Sequence, residues 1–250
     1  MNPRVTFDRA ALKAAQADVL IGLDEAGRGA LAGPVVAGAV SLPAPFYKSV
    51  TTQLGADADA INDSKKLTPR QREAIMVQME HLQEAGQLAL SWGEASVEEI
   101  ERDNILGATR LAMARALEAL GPQPLFRNQH LLLQVQETGL PRGTHRPAAS
   151  SALPRNALVL IDGRPLKPFP YTHEAIVHGD SQSFAIAAAS IVAKVTRDRK
   201  LLAIGKTYPQ YGFEHHKGYG TATHREAICR HGPSFVHRAG FLQKILKPKN

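Results

Sequence analysis

Cysteine is almost missing from this 250-residue sequence. Cys229 stands alone, so no intrachain disulfide can form and a structural zinc site built on thiolates is not expected. Long hydrophobic runs are missing too. The longest uncharged stretch, residues 29–47, is interrupted by Gly33, Pro34, Gly38, Pro43 and Pro45, which makes it a poor membrane span. The N-terminal twenty residues mix charged and apolar side chains and lack the apolar core of a secretory signal, so a cytoplasmic protein without membrane partners is expected. Neither G-x-G-x-x-G nor a G-K-[ST] phosphate loop occurs, which removes the common dinucleotide and P-loop readings. No internal repeat is visible.

Acidic residues are scarce at the C-terminus. From Lys206 onward eight lysines and arginines face only Glu214 and Glu226, within a chain whose net charge is +7. This suits a polyanionic partner, and His215, His216, His224, His231 and His237 are expected to add charge at lower pH. Residues 122–156 carry Pro122, Pro124, Pro141, Pro147 and Pro154 with several arginines and one acid, Glu137. They read as a basic insertion.

An amphipathic helix through Ala15 is expected first, then a buried strand, Val19 to Leu23, tipped by Asp24 and Glu25. Val35 to Leu42 reads as its hairpin partner, and residues 48–62 as a loop. Thr68 and Pro69 open a helix running to Glu84, and residues 87–94 form a third strand. Ser96 to Glu99 is a capping box opening a helix that runs to Pro122. Ala157 to Ile161 is a strand ending at Asp162, and a short strand over 175–178 ends at Gly179-Asp180. Residues 183–202 form an alanine-rich buried helix, followed by a loop and two short helices from Tyr208. This order predicts an α/β fold with a mixed sheet covered by helices on both faces.

Asp24, Glu25, Asp162 and Asp180 all stand where strands or turns end. If the strands before Asp24 and Asp162 are parallel neighbours, their tips lie about 5 Å apart, at the carboxyl edge of the sheet where open α/β folds bind ligands. Carboxylates that close oppose one another's ionisation unless a cation sits among them. Hard oxygen donors without thiolates select Mg²⁺ or Mn²⁺. The acids alone therefore indicate metal-assisted phosphoryl chemistry, shared by phosphatases, kinases and nucleases. Gly27-Arg28-Gly29 adds exposed backbone N–H groups and a planar guanidinium suited to phosphate. Asn62–Thr68 and His216–Thr221 look like phosphate and base contacts, the second with Tyr219 between glycines.

Taken in order, these strings resemble the ribonuclease HII family: Gly22–Gly29 (GLDEAGRG) with Gly33–Val36, Asn62–Thr68 (NDSKKLT), Asn104–Leu106, Ile161–Gly163, Gly179-Asp180, Ile186–Asp198, Tyr208–Gly212 and His216–Thr221 (HKGYGT). The resemblance spans nearly the whole chain. It implies a ribonuclease H-like fold with a five-stranded mixed sheet as residues 1–205, and a basic, helical, substrate-contacting extension as residues 206–250. It also implies metal-dependent cleavage of the RNA strand of RNA–DNA hybrids, and cutting 5′ of single ribonucleotides in duplex DNA to leave 3′-hydroxyl and 5′-phosphate ends. Carried over position by position, Asp24, Glu25, Asp162 and Asp180 become the catalytic metal ligands. Gly27, Arg28 and Gly29 become the sensor of the ribose 2′-OH. Tyr219 becomes the residue stacking at an RNA–DNA junction, and Ser64, Lys65 and Lys194 lie near the phosphates or the acids. Asp198 is expected to be structural, capping or pairing with Arg197 or Arg199. A monomer is expected, with the tail a candidate contact for a replication clamp. Ala30 and Ala185 depart from the family pattern, where proline and serine are common, and residues 51–59 and 122–156 look like insertions. A first strand near residue 18 speaks against ribonuclease HIII, which carries an extra N-terminal domain. Two other readings are a hybrid-binding protein without catalysis and a junction resolvase on the same fold.

Overall fold

Side-chain alternation along the first strand decides the layering. Leu20 packs toward one set of helices, whereas Val19, Ile21 and Leu23 pack toward another, as a period of two requires. The computed structural model describes residues 2–54, 61, 64–121 and 156–246. Among these, five strands form one sheet in the order β3-β2-β1-β4-β5, namely β1 (Val19–Ala26), β2 (Val35–Pro43), β3 (Ala89–Ala95), β4 (Ala157–Asp162) and β5 (Glu174–Ile176). The β1–β2 and β2–β3 pairs are antiparallel, whereas β1–β4 and β4–β5 are parallel. The mixed five-stranded sheet and the β1–β2 hairpin read from the sequence are both present.

One face carries α1 (Pro3–Ala15), α2 (Phe46–Leu54), α3 (Pro69–Glu84) and the long α6 (Phe184–Thr207), which share a core with Leu20, Val40, Leu42, Leu158 and Leu160. The other face is covered by α4 (Val97–Leu120), whose Ile100, Ala108, Ala112, Ala116 and Leu120 are buried against Ile21, Ala37, Ala39 and Ile161. The start signals read from the sequence are present. Thr68 and Ser96 each make a full capping box, with Gln71 and Glu99, and Ser183 caps α6.

Two expectations need correction. The segment 48–62 is not all loop, since α2 occupies its first part. Phe46, Tyr47, Val50 and Leu54 are buried at near-helical spacing, a stripe too short to stand out beside the polar residues between them. The short strand near 175 stops at Ile176, and Gly179–Gln182 forms a one-turn helix, α5, in place of a simple turn. Residues 122–155, the bulk of the basic insertion, lie outside the described residues.

Three glycines allow helices to lie unusually close to the sheet. A Cβ at Gly22 would stand 2.2 Å from the Ala185 carbonyl carbon of α6, one at Gly38 2.3 Å from Ala189 O, and one at Gly93 2.4 Å from Ala112 O of α4. The obstacle is helix backbone each time, so no side-chain rotation can relieve it. The alanine-rich stretch of α6 is the complementary surface, small enough to seat on β1 and β2.

The remaining elements form a third core. After a 3₁₀ turn (Pro209–Tyr211) come α7 (Phe213–His216), α8 (Ala222–His231) and α9 (Ala239–Leu246). Their Phe213, Ile228 and Leu242 pack with Tyr211, with Leu201 of α6 and with Leu31 and Ala32 from the β1–β2 connection. Gly22→Ala is expected to destabilise the protein by about 3 kcal/mol or more, at the upper end of overpacking costs. A denaturation midpoint equal to wild type would show that α6 can retreat without penalty.

Candidate active site

The register of the two parallel strands brings the first two acids together. Leu23 of β1 lies opposite Ile161 of β4, so the next residues along, Asp24 and Asp162, are neighbours. Even-numbered residues on both strands face α6, which puts these two carboxylates on the α6 side at the C-terminal edge of the sheet. The geometric condition set by the sequence is thus met for this pair. Asp24 is buried, and its carboxyl is pushed well above the usual carboxylate range, first by loss of water and then by the negative charges of Glu25 and Asp162. Its Oδ1 accepts the Glu25 N–H at 2.7 Å.

Asp162 Oδ1 accepts the Gly179 N–H at 2.6 Å, which fastens β4 to the start of α5. Asp180 is the next residue and is buried, so its backbone is held one residue from the Asp162 carboxylate. Glu25 Oε1 receives Arg28 Nη1 at 2.9 Å, an ion pair with a half-exposed guanidinium. Among the described residues no three His, Cys, Asp or Glu side chains are drawn together tightly enough to chelate an ion as they stand. The donor set nonetheless fits a hard divalent cation. It is all oxygen, and the Asp24 carboxyl bears the repulsion of Glu25 and Asp162, which a divalent cation would relieve. A shallow groove lined by Arg9, Leu12, Lys13 and Lys48 lies beside Asp18 at the opposite end of β1 and holds none of the four acids.

Ser190 was absent from the sequence-derived set and is central here. From α6 its hydroxyl bonds the Asp24 side chain, an interaction that pulls the carboxyl's pKa down against the larger upward causes. Its oxygen also lies 2.7 Å from Ser64 Oγ, a bond in which either hydroxyl can donate. Arg72 fixes Ser64 from behind through Nη1 to its carbonyl at 2.8 Å. Ser64 therefore reaches the acids through Ser190. The Lys65 side chain lies outside the described residues. Lys194 is bonded to Asp198 at 2.7 Å, and Arg72 approaches the same carboxylate at 3.8 Å. The close ionic partners of Asp198 are Lys194 and Arg72, whereas Arg197 or Arg199 was expected from the sequence. A helix puts residues i and i+4 on one face, and this favours Lys194 over the sequence neighbours.

Arg197 is fully buried and turns the other way. Its guanidinium bonds three backbone carbonyls, Pro34 at 3.0 Å, Ala32 at 3.0 Å and Lys217 at 2.9 Å. Arg238, equally buried, bonds Gly33 O through Nε at 2.9 Å and Nη2 at 2.7 Å, and Arg28 O at 3.1 Å. Burial lowers the pKa of both, that of Arg238 to about 9. The signal for the α6 residues was present in the sequence, because Ser190, Lys194, Arg197 and Asp198 fall at i, i+4, i+7 and i+8. No local pattern marks Arg238.

The glycine turn sits on these arginines. Gly27 has φ +94°, and a Cβ there would lie 2.0 Å from Arg197 Nε. At Gly29 a Cβ would meet nothing within 4 Å. The segment that follows is held on both sides. Leu31 N–H bonds Gly218 O and Ala30 bridges Tyr219 on one side, while Gly33 N–H bonds Val236 O and Arg238 N–H bonds Leu31 O on the other. The Tyr219 ring is flanked by Lys194 Nζ at 5.4 Å and Arg197 Cζ at 5.2 Å from its centroid. The tail is thus less of a solvated basic face than its composition suggests, since Arg238 serves inside.

The histidines need a similar correction. His224 and His237 are held down to about 4 by burial, and His216 is also lowered, so this buried trio stays neutral at mildly acidic pH.

A family model for ribonuclease HII matches residues 21–125 and 155–244. The chain belongs to the ribonuclease HII family. Its relatives include the ribonuclease HII of Marinomonas sp. strain MWYL1, 41% identical over 236 residues that cover 92% of this chain and 94% of the relative. Two solved structures share the fold. The ribonuclease H2 of Pyrococcus horikoshii OT3 superposes with a TM-score of 0.60 at 22% identity, covering 91% of this chain and 96% of that one. The ribonuclease HII of the PCNA:RNase HII complex from Archaeoglobus fulgidus gives 0.59 at 18% identity, covering 92% and 98%. As a ribonuclease HII the chain is a metal-dependent endoribonuclease acting on RNA–DNA hybrids. No helix among the described residues is long and apolar enough to cross a membrane.

The buried imidazoles carry a pH dependence. With folded values near 4 against an ordinary 6.5, His224 and His237 contribute stability that is fully present above 6.5 and lost as pH falls through 4, because the unfolded chain binds their protons first. Wild type is therefore expected to lose melting temperature, relative to a His224→Gln/His237→Gln double variant, as pH drops through that window. Parallel melting curves in calorimetry would contradict this.

Proposed function

We propose that Asp24, Glu25, Asp162 and Asp180 are the catalytic metal ligands, and that the turn Gly27-Arg28-Gly29 selects the ribose. The observation that carries this reading is the buried Asp24 carboxyl, crowded by Glu25 and Asp162 beside a turn whose Gly29 no neighbour among the described residues requires. The four donors are hard oxygens, which suit Mg²⁺ or Mn²⁺. Bound there, such ions supply an activated water and offset charge building on the phosphoryl oxygens.

The remaining work falls to the chain's own groups. Ser190, supported by Ser64, holds the Asp24 carboxylate in one orientation. Without a Cβ at Gly29, a sugar can approach the turn's backbone, and a 2′-OH is what separates ribose from deoxyribose there. Arg28 is half-exposed, with Glu25 as its present partner, and is placed to meet a phosphate. Tyr219 offers a ring fixed between two cations for stacking at an RNA–DNA junction, and Lys194 and Lys65 neutralise backbone charge nearby.

The proposal extends to cleavage on the 5′ side of a ribonucleotide, leaving 3′-hydroxyl and 5′-phosphate ends, in hybrids and at single ribonucleotides in duplex DNA; the resemblance of the motif strings to ribonuclease HII supports it. Residues 206–250 are assigned as the substrate-contacting extension, since they supply Tyr219. The archaeal structure that pairs a ribonuclease HII with PCNA supports adding a clamp contact through the tail to this proposal.

Asp24→Asn is expected to lower hybrid cleavage by more than about a hundredfold. In metal-free buffer the same change should raise stability by about 1 kcal/mol, because one member of a repelling carboxylate set becomes neutral while keeping an oxygen for the Glu25 N–H. Wild-type turnover in Mg²⁺ or Mn²⁺ would remove Asp24 from the site. The cut position and end chemistry are checked by mapping products from a duplex carrying one ribonucleotide. Cleavage on the 3′ side would overturn the assignment.

A further inference from the structure

Behind Tyr219 lies a chain of imidazoles that the nuclease reaction does not use. His224 Nδ1 is 2.9 Å from Tyr219 O, and His224 Nε2 is 3.2 Å from His237 Nε2. At the far end His237 Nδ1 is 3.0 Å from Ser234 N and 2.9 Å from Ser234 Oγ. Both rings are buried. His216 stacks on His224 with centroids 4.2 Å apart, and it is bonded on one side to Tyr211 O and on the other to the Gly218 N–H.

These contacts fix every proton. A carbonyl only accepts, so His224 carries hydrogen on Nδ1 and, being neutral, has a bare Nε2. His237 must then donate from Nε2, which leaves its Nδ1 bare to accept from Ser234. The backbone N–H of Ser234 can only donate, so the chain is consistent from end to end. His216 follows the same rule, with Nε2–H toward Tyr211 O and Nδ1 accepting from Gly218. No donor faces a donor.

The relay joins the two segments that flank the connection after the glycine turn. Residues 218–219 lie on one side of residues 30–33 and residues 236–238 on the other. The His224–His237 bond closes this three-segment clamp from beneath.

We propose that the neutral His237–His224 relay is a positioning device that sets the height of Tyr219 against the substrate, and with it the preference for cutting at RNA–DNA junctions. This rests on the stacking role assigned above to Tyr219. The two histidines touch no substrate and act through the Tyr219 carbonyl. The relay must be uncharged to work, because a proton on His224 Nε2 would set two donors against each other at the His237 contact.

The test is a double-mutant cycle on a junction substrate and a uniform hybrid, with ¹⁵N NMR of the imidazoles in the wild-type protein. His224→Leu should lower kcat at the junction about five- to tenfold, the size of one neutral hydrogen bond, with little change in KM and a smaller loss on the uniform hybrid. His224→Asn, whose side-chain amide keeps a donor for the Tyr219 carbonyl, should recover most of the loss. In a Tyr219→Ala background His224→Leu should have no further effect, because the relay has nothing left to position. An additive loss in that background would overturn the proposal, as would failure of Asn to rescue. If Tyr219→Ala leaves junction cleavage unchanged, the stacking role itself fails and the relay's function goes with it. The NMR measurement stands even if a variant fails to fold. At neutral pH it should show His224 protonated on Nδ1 and His237 on Nε2, and any other tautomer refutes the relay.

Discussion

Two buried guanidiniums bonded to main-chain carbonyls hold the glycine turn and the segment after it in place. Removing an ion from water costs several kcal/mol, and neither Arg197 nor Arg238 recovers this through a close carboxylate contact among the described residues. Each instead makes three hydrogen bonds to carbonyl oxygens, and charge-assisted bonds of about 1.5–3 kcal/mol apiece recover part of the burial cost, the rest showing in the lowered pKa of both groups. The carbonyls so bound belong to Arg28, Ala32, Gly33, Pro34 and Lys217. With those oxygens drawn inward, the outer side of the glycine turn at Gly29 stands clear of the described residues. Arg197 also forbids any side chain at Gly27, so the turn's shape and its support are one constraint.

The same pair unites the two parts of the molecule. Arg197 comes from the long helix on the sheet, whereas Arg238 comes from the C-terminal extension, and both close on one segment between β1 and β2. The extension is therefore built around that segment, with Leu31 and Ala32 in its core, in place of meeting the sheet at a flat interface. Tyr219 gains a fixed position as a result, between Lys194 and Arg197 and above the neutral histidines. Across the site the acids take the opposite electrostatic course. Asp24 is crowded by the like charges of Glu25 and Asp162, which together with burial disfavour its ionised form.

Much of this was legible before any coordinates. Capping boxes at Thr68 and Ser96, the β1–β2 hairpin, the buried alanine-rich helix and the tips at Asp24 and Asp162 all follow from local chemistry, because period, caps and turn residues act within a few positions along the chain. The motif strings placed the chain among its relatives for the same reason, since each is contiguous. Helix α2 escaped because its apolar stripe is short, and the partners of Asp198 escaped because i+4 neighbours compete with Arg72 from a different helix.

What the sequence determined by itself was the set of elements, the acids at strand ends and the family. Tertiary structure alone decided that Ser190 links Ser64 to Asp24, that Arg238 works inside the fold and not on its basic surface, and that three histidines of a positively charged tail are uncharged. The physical reason is burial. A side chain's charge and hydrogen-bond partners depend on which distant backbone groups surround it once water is gone, and that neighbourhood is written nowhere in the residues beside it.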